Sequence, residues 1–181
     1  ISSDYQITEK DTHLFFAEVQ NKLLYAATGK TAAELIVERA DPSEPNMALT
    51  NWKGTRVRKQ DVIVAKNYLA DDEVDTLNRL VVIFLEQAEL RVKQRQDLTL
   101  DYWRGNVDKM LAFNERPVLN GPGKVSHDDM KRLANERYDT FEQSRRVAQA
   151  AAAEAEDLKQ IEDLVQFQKE IKKKKDGEAQ S

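Results

Sequence analysis

The sequence predicts an all-α protein, with a compact bundle of about five helices followed by one long C-terminal helix. Apolar residues recur at three- and four-residue spacings along most of the chain, and alternating strand-like runs are scarce. The 181 residues include 4 Pro and 6 Gly, so few residues interrupt helices. A charged content of 33% indicates that these helices have long solvated faces.

Composition restricts the possible functions. The net charge of −4 argues against a general nucleic-acid binder, and residues 1–125 and 126–181 each contribute −2. The absence of Cys excludes disulfides, thiol nucleophiles and Cys-based zinc sites, and it fits a reducing cytoplasm. The longest apolar block, residues 80–85, is too short for a membrane span. Because the chain begins with Ile1, we expect further sequence to precede it.

Local signals place the first two helices. Thr8 is a predicted N-cap, and an apolar stripe follows within residues 15–27. Gly29 is the expected C-terminal stop. Thr31 and Glu34 have the spacing of a capping box, which predicts a short second helix that two prolines end.

A basic loop containing a tryptophan follows the second helix, at residues 46–59. Four of the seven residues from Lys53 to Lys59 are cationic, although the whole chain is acidic. This loop is predicted either to bind an anion or to pin one helix to another, with Trp52 stacking on a base or filling a gap between helices. The candidate anion- or ligand-binding residues are Asn51, Trp52, Lys53, Arg56, Lys66 and Arg79.

Three more helices complete the predicted bundle. The third opens at residue 60 or 61 and continues to about Leu69. The fourth begins at the acidic residues 71–73, and its apolar block predicts burial on most sides, as in a central helix. The fifth is capped by Thr99. Its inward-facing residues are predicted to be Leu100, Trp103, Val107, Met110 and Leu111.

A break at residues 117–123 precedes the last helix, because this segment holds two Pro and two Gly. Ser126 is the predicted start, and nothing interrupts a helix from there to about Lys175. The predicted domains are therefore a bundle at residues 1–125 and a long helix at residues 126–181. We expect the first part of that helix to pack on the bundle and the remainder to project or to pair.

The distal part of this helix has a short apolar seam. Its members follow one another at steps of three or four residues, which predicts self-association or binding to a partner protein. Glu162 and Gln168 interrupt the pattern, so the alternative is an extended single helix. Lys172–Lys175 suit a helix C-terminus electrostatically. The candidate oligomerisation residues are Ala148, Ala151, Ala155, Leu158, Ile161 and Val165.

Motifs for catalysis are weak. Residues 28–31 resemble the end of a phosphate-binding loop, but the upstream Gly and strand are missing, so they read as two adjoining helix caps. We still expect that the backbone N–H groups at the start of the second helix can bind a small anion. His13 and His127 lack nearby ligand partners, and Glu86 and Glu89 are explained by salt bridges. We predict no metal site and no cofactor, and the catalytic residues are unknown.

Several blocks are similar in order and spacing to the C-terminal region of the RhuM virulence-protein family. They are residues 16–23, 29–36, 38–41, 49–54, 61–62, 65–69 and 77–79. The resemblance implies a bacterial cytoplasmic protein associated with pathogenicity islands and mobile elements. It also implies an upstream region resembling phage-type DNA-binding modules, through which the whole protein would contact DNA. The family supplies no catalytic residues to transfer.

The sequence therefore favours a non-enzymatic effector or assembly domain that acts with an absent N-terminal DNA-binding-like module. It would form a homo-oligomer or bind a partner protein through the C-terminal helix. The alternative is a toxin-like or defence enzyme acting on a nucleotide or nucleic acid, with the basic loop, Lys66 and Arg79 as its anion site. Direct nucleic-acid binding by this domain is disfavoured by its net charge.

Overall fold

A computed structural model describes residues 9–96 and 99–178. Within these residues the chain forms five α-helices and two short 3₁₀ helices and contains no β-strand. The predicted all-α class and the long C-terminal helix are confirmed. The helices are α1 Glu9–Thr28, α2 Ala32–Arg39, α3 Asp71–Lys93, α4 Leu100–Phe113 and α5 His127–Glu178, and the 3₁₀ helices are Pro45–Ala48 and Ala65–Tyr68.

The chain divides into two compact units between Tyr138 and Asp139, inside α5. The first unit contains α1 to α4 and the first turns of α5, and the second unit contains the rest of α5. The division proposed from sequence, at residues 125 and 126, stays a prediction.

One hydrophobic core of the first unit joins α1, α3 and α4. All five residues predicted to face inward from α4 are buried, which confirms the apolar periodicity of that helix. Trp103 packs edge-on against Phe84 of α3, with ring centroids 5.0 Å apart. Lys22 of α1 donates to both carboxylate oxygens of Asp108 on α4, each at 2.8 Å. The aromatic contact therefore joins α3 to α4, and the ion pair joins α1 to α4.

The structure corrects the expectation for α3, which is not buried on most sides. Leu80 is buried, but the side chains of Val82 and Leu85 are 56% and 57% exposed. A dense apolar block predicts full burial only when neighbours cover all sides of the helix, and in this unit α1 and α4 pack against α3.

A second group of buried side chains belongs to α2, to the segment that follows it and to the first turns of α5. Leu35 and Met47 are fully buried, as is Ala134 of α5 apart from 1% of its surface. Arg137 donates from Nη1 to the carbonyls of Val37 at 2.6 Å and Ala40 at 2.8 Å. This guanidinium supplies donors to carbonyls at the C-terminal end of α2.

The predicted third helix is wrong. Residues 59–63 form turns, and only the 3₁₀ helix Ala65–Tyr68 follows them. The carbonyl of Asn67 accepts hydrogen bonds from the backbone N–H groups of Thr50 at 2.7 Å and Asn51 at 3.2 Å. A continuing α-helix would instead bond that carbonyl to the amide four residues later. Hydrogen bonds from a distant segment therefore replace the hydrogen bond that an α-helix would form.

The described residues include several of the helix caps that the sequence predicts. Gly29 follows the last residue of α1 with φ +74°, and its N–H donates to Tyr25 O at 2.7 Å, which confirms the stop. Thr99 caps α4 by accepting from Tyr102 N at 3.1 Å. The capping box of Thr31 and Glu34 is present. The N-cap predicted at Thr8 lies outside the described residues.

Candidate functional site

The first unit contains a cleft of about 800 Å³, hereafter the α1–α3 cleft. Side chains from α1, α2, α3, the 3₁₀ helix Ala65–Tyr68 and the loop before α5 surround it. Its polar lining residues are Gln20, Asn21, Thr31, Lys66, Asn78 and His127, and its apolar ones are Ala17, Leu23, Leu24, Ala32, Ala33, Val64, Ala65, Leu77, Val81, Pro122 and Val125.

The beginning of α2 forms one side of the α1–α3 cleft. Asn21 of α1 accepts a hydrogen bond from Ala32 N at 2.9 Å. Glu34 accepts from Thr31 N at 2.9 Å, and Thr31 Oγ1 accepts from Glu34 N at 3.4 Å. These protein oxygens already engage the Ala32 and Glu34 amides. A small-anion site at this helix start stays a prediction.

The loop before α5 is fixed to the same helix start. The second oxygen of Glu34 accepts from Lys124 N at 2.8 Å. Hydrogen bonds from the backbone of Thr31 and then of Lys124 lower the pKa of Glu34. Gly123 approaches so closely that a Cβ there would lie 2.7 Å from Thr31 Cγ2. The wall that carries Pro122 is therefore held in one position.

An ion pair joins α2 to α3, two of the helices that line the α1–α3 cleft. Arg39 binds both carboxylate oxygens of Glu73 at 2.6 Å, and it also donates to Tyr68 O at 2.7 Å. The hydrogen bonds from Arg39 lower the pKa of the Glu73 carboxyl. Because Tyr68 ends the 3₁₀ helix that carries Lys66, this pair positions the backbone beneath the Lys66 side chain.

The permanently charged side chain in the lining is a cation. The lining contains Lys66 and the imidazole of His127 but no carboxylate among the described residues, although the chain carries 32 Asp and Glu. The other polar members are two amide side chains on α1, Asn78 on α3 and the buried hydroxyl of Thr31. Such a lining can donate hydrogen bonds to a negatively charged group above an apolar floor.

The structure brings one of the six predicted ligand-binding residues to the α1–α3 cleft. Lys66 lines it, and its side chain is exposed. Arg79 instead pairs with Asp75 one turn earlier on α3, at 2.7 Å, and both side chains are largely exposed. Lys66 and Arg79 thus have different surroundings.

The other four predicted residues lie in the basic loop, away from the lining of this cleft. Trp52 is half-buried, whereas Asn51, Lys53 and Arg56 are exposed. The backbone of Asn51 is tied to Asn67. A ligand site formed by the basic loop stays a prediction.

The cleft also uses residues that the sequence did not single out. Gln20 and Asn21 lie between Glu18 and Lys22 in a mostly polar part of α1, so their residue types alone do not distinguish them. The partner of Asn21 lies on the next helix, beyond the Gly29 turn. Local periodicity therefore gives no reason to choose Asn21.

The predicted oligomerisation residues lie in the second unit, and all six are exposed. Leu158 and Ile161 are 63% and 57% exposed, and Val165 is 45% exposed. Two more large apolar side chains, Leu164 and Phe167, are exposed beside them but were absent from the predicted seam.

The fold and the lining of the cleft define this chain as an all-α domain with a cleft lined by both polar and apolar side chains. In the described residues no group of three or more His, Cys, Asp or Glu could hold a metal ion. None of the described helices is long and apolar enough to cross a membrane.

The family model described as the Virulence protein RhuM family matches residues 1–149. The match covers most of the chain, so the chain belongs to the RhuM family. It includes the whole first unit and ends within the alanine-rich part of α5. No curated protein and no solved structure matches the chain.

Proposed function

We propose that this protein is a non-enzymatic assembly domain that pairs with a second copy of itself through the distal part of α5. One observation carries the proposal. Five large apolar side chains within ten residues of the second unit are 45–64% exposed. Dense exposed apolar clusters on otherwise charged helices are typical of interaction surfaces. These residues, hereafter the α5 stripe, are Leu158, Ile161, Leu164, Val165 and Phe167.

The spacing of the α5 stripe suits another helix. Leu158, Ile161 and Val165 follow one another at steps of three and four residues, which places them on one side of α5. Leu164 widens the same side. Two stripes packed together would gain about 1 kcal/mol for each half-buried side chain.

The charges around the α5 stripe favour antiparallel pairing. Residues 154–163 carry five acidic side chains and one basic one, whereas residues 169–175 carry five basic and one acidic. Parallel helices in register would place like charges together, which is destabilising. Antiparallel helices centred near residue 163 would place residues 154–157 of one copy, with three acidic side chains, opposite residues 169–172 of the other copy, which include two lysines.

Pairing would give the whole protein two copies of its upstream region. The family resemblance implies a DNA-binding-like module there, and we propose that the assembly domain positions two such modules together. Many DNA-binding proteins use dimers of this kind to contact two half-sites.

Light scattering on the full 181-residue chain tests the pairing. We expect the wild type to have the mass of a dimer at micromolar concentration. Ile161→Glu should reduce the mass to that of a monomer, because it places a charge within the α5 stripe. Gln166→Glu adds the same charge on the side of α5 that the stripe does not cover and should leave the mass unchanged. A monomeric wild type, or an Ile161→Glu dimer, would reject the proposal.

The absence of native Cys allows an orientation test by disulfide formation. In an antiparallel pair centred near residue 163, the two Val165 positions lie within about one helical turn, whereas the two Ala151 positions lie about 36 Å apart along the axis. Val165→Cys should therefore cross-link with itself on oxidation, and Ala151→Cys should not. Efficient cross-linking of both variants would indicate parallel helices instead.

A further inference from the structure

We propose that the α1–α3 cleft binds a small anionic amphiphile, a molecule with an apolar body and one carboxylate or phosphate group. This proposal is separate from the assembly function, because the cleft lies in the first unit and the α5 stripe in the second. Three properties of the cleft carry it: the size and apolar floor, the sign of charge of its lining, and the fixed position of its walls.

The size and floor suit an apolar body. Ligand pockets usually measure about 300–1,000 Å³ and are lined mainly by hydrophobic side chains. The α1–α3 cleft measures about 800 Å³. Its floor includes the buried Leu23 and Leu24 of α1, while Leu77 and Val81 of α3 remain half-exposed. An apolar chain or ring lying there would cover these side chains.

The lining favours a negative charge. Lys66 is exposed, and His127 and Asn78 can donate hydrogen bonds at the same cleft. Two neighbouring carboxylates are engaged elsewhere, because Glu34 accepts from backbone amides and Glu73 accepts from Arg39. Neither lines the cleft. A cationic ligand would therefore find no ionised acceptor among the described lining residues.

The single lysine of the lining limits the charge of the ligand. One ammonium group, with hydrogen-bond donors beside it, matches a single acidic group above the apolar floor. A nucleoside triphosphate or a nucleic-acid backbone carries several negative charges and usually meets several cations or backbone amides. The amide of Ala32 at this cleft is already bonded to Asn21. The geometry thus favours a singly acidic amphiphile over a nucleotide.

The walls are fixed before any ligand binds. Glu34 ties the Pro122 loop to α2, and the Arg39–Glu73 pair ties α2 to α3. A preformed cleft avoids part of the ordering cost of binding. We therefore expect the site to be present in the free protein.

Calorimetric titration of the full chain with three ten-carbon probes below their micelle concentrations tests the proposal. The probes are decanoate, decyl phosphate and decyltrimethylammonium. We expect the two anions to bind at one site and the cation to bind at least about fivefold more weakly, which corresponds to one solvent-exposed charge interaction. The ratio of the two anion affinities separates a carboxylate ligand from a phosphate ligand. Equal binding of all three probes, or no binding of either anion, would overturn the proposal.

Two matched pairs of variants locate the site. Lys66→Gln should weaken decanoate binding about fivefold, whereas Lys53→Gln removes an exposed cation outside the cleft and should change nothing. Ala17→Phe should block the cleft and remove binding of both anions, whereas Ala112→Phe, on an exposed part of α4, should not. Circular dichroism confirms that each variant is folded. If Lys53→Gln weakens binding as much as Lys66→Gln, the anion site is elsewhere.

Discussion

The side chain of Glu34 accepts a hydrogen bond from the backbone N–H of Lys124 at 2.8 Å, across 90 residues of sequence. The same carboxylate completes the capping box at the start of α2 by accepting from Thr31 N at 2.9 Å. One carboxylate therefore stabilises a helix start and holds the loop that enters α5. Because Pro122 and Val125 of that loop line the α1–α3 cleft, this contact also sets the width of the cleft.

Replacing Glu34 by Gln should destabilise the first unit. The amide side chain keeps one acceptor oxygen but presents N–H groups to one of the two backbone donors, so one hydrogen bond to a charged acceptor is lost. We expect the free energy of unfolding in urea to fall by about 1–2 kcal/mol. Glu44→Gln makes the same chemical change at an exposed position and should alter the stability by less than about 0.5 kcal/mol.

The effect of Glu34→Gln should depend on pH. The pKa of Glu34 in the folded protein lies below its ordinary value of 4.5. A lowered folded pKa means that the stabilisation is fully present above the unfolded pKa and is lost as the pH falls through the folded value. The stability difference between wild type and Glu34→Gln should therefore be largest near neutral pH and shrink below about 4.5. A difference that stays constant down to pH 3 would contradict this origin.

Two glycine substitutions should have opposite signs. Gly123 has φ +86°, and a Cβ there would lie 2.7 Å from Thr31 Cγ2, so Gly123→Ala should lower the unfolding free energy by at least about 1–2 kcal/mol. Gly105 lies within α4, and its Cβ would meet no heavy atom within 4 Å. Gly105→Ala should raise the stability by about 0.5–1 kcal/mol. Thermal melts of both variants test this, and equal signs would be inconsistent with the geometry.

The Arg39–Glu73 pair should show strong energetic coupling. Its two parallel hydrogen bonds of 2.6 Å join partly buried side chains. In a double-mutant cycle with Arg39→Met and Glu73→Gln, we expect a coupling energy of about 1–3 kcal/mol.

The pair Arg79–Asp75 is a control in the same helix, since its side chains are 75% and 61% exposed. Its cycle should give at most about 0.5 kcal/mol. The coupling of Arg39 and Glu73 should also weaken in acid, because the pKa of Glu73 is lowered and its charge is lost only as the pH falls through that value. Equal coupling energies for the two pairs would show that partial burial does not strengthen the ion pair.

Local chemistry made much of the fold predictable. A capping box needs only the spacing of Thr31 and Glu34, and the Thr99 cap needs only its own hydroxyl near the next turn. The inward face of α4 follows from apolar residues at helical spacing, because that face is covered by the neighbouring helices. The hydrogen bond from Lys124 to Glu34 could not be predicted from local spacing, because the two residues lie 90 positions apart in the sequence.

The segment after α2 shows why prediction failed where contacts are distant. Val62 and Leu69 have helical spacing and both are buried, but the carbonyl of Asn67 is taken by the backbone of Thr50 and Asn51. The same limit applies to the α1–α3 cleft. Lys66 was identified from its charge, whereas the choice of Asn21 requires knowing that α1 passes beside the start of α2.

The segment that follows α2 contains a strained turn. Asn46, Met47 and Ala48 have φ of 55°, 58° and 58°, so three consecutive residues lie in the left-handed region. Each non-glycine residue there costs roughly 1–2 kcal/mol, although Asn tolerates the region better than most. Met47 is fully buried, which explains how packing holds the turn in place.

Ala48→Gly should therefore stabilise the protein. Removing the Cβ relieves the strain, while the greater freedom of Gly in the unfolded chain opposes the gain by about 0.4–1 kcal/mol. We expect a net increase of about 0.5 kcal/mol in the free energy of unfolding. Ala33→Gly, inside α2, has only the entropic cost and should lower stability by about 1 kcal/mol. Urea denaturation of the two variants at neutral pH compares them directly, and a loss of stability in both would mean that Ala48 is not strained.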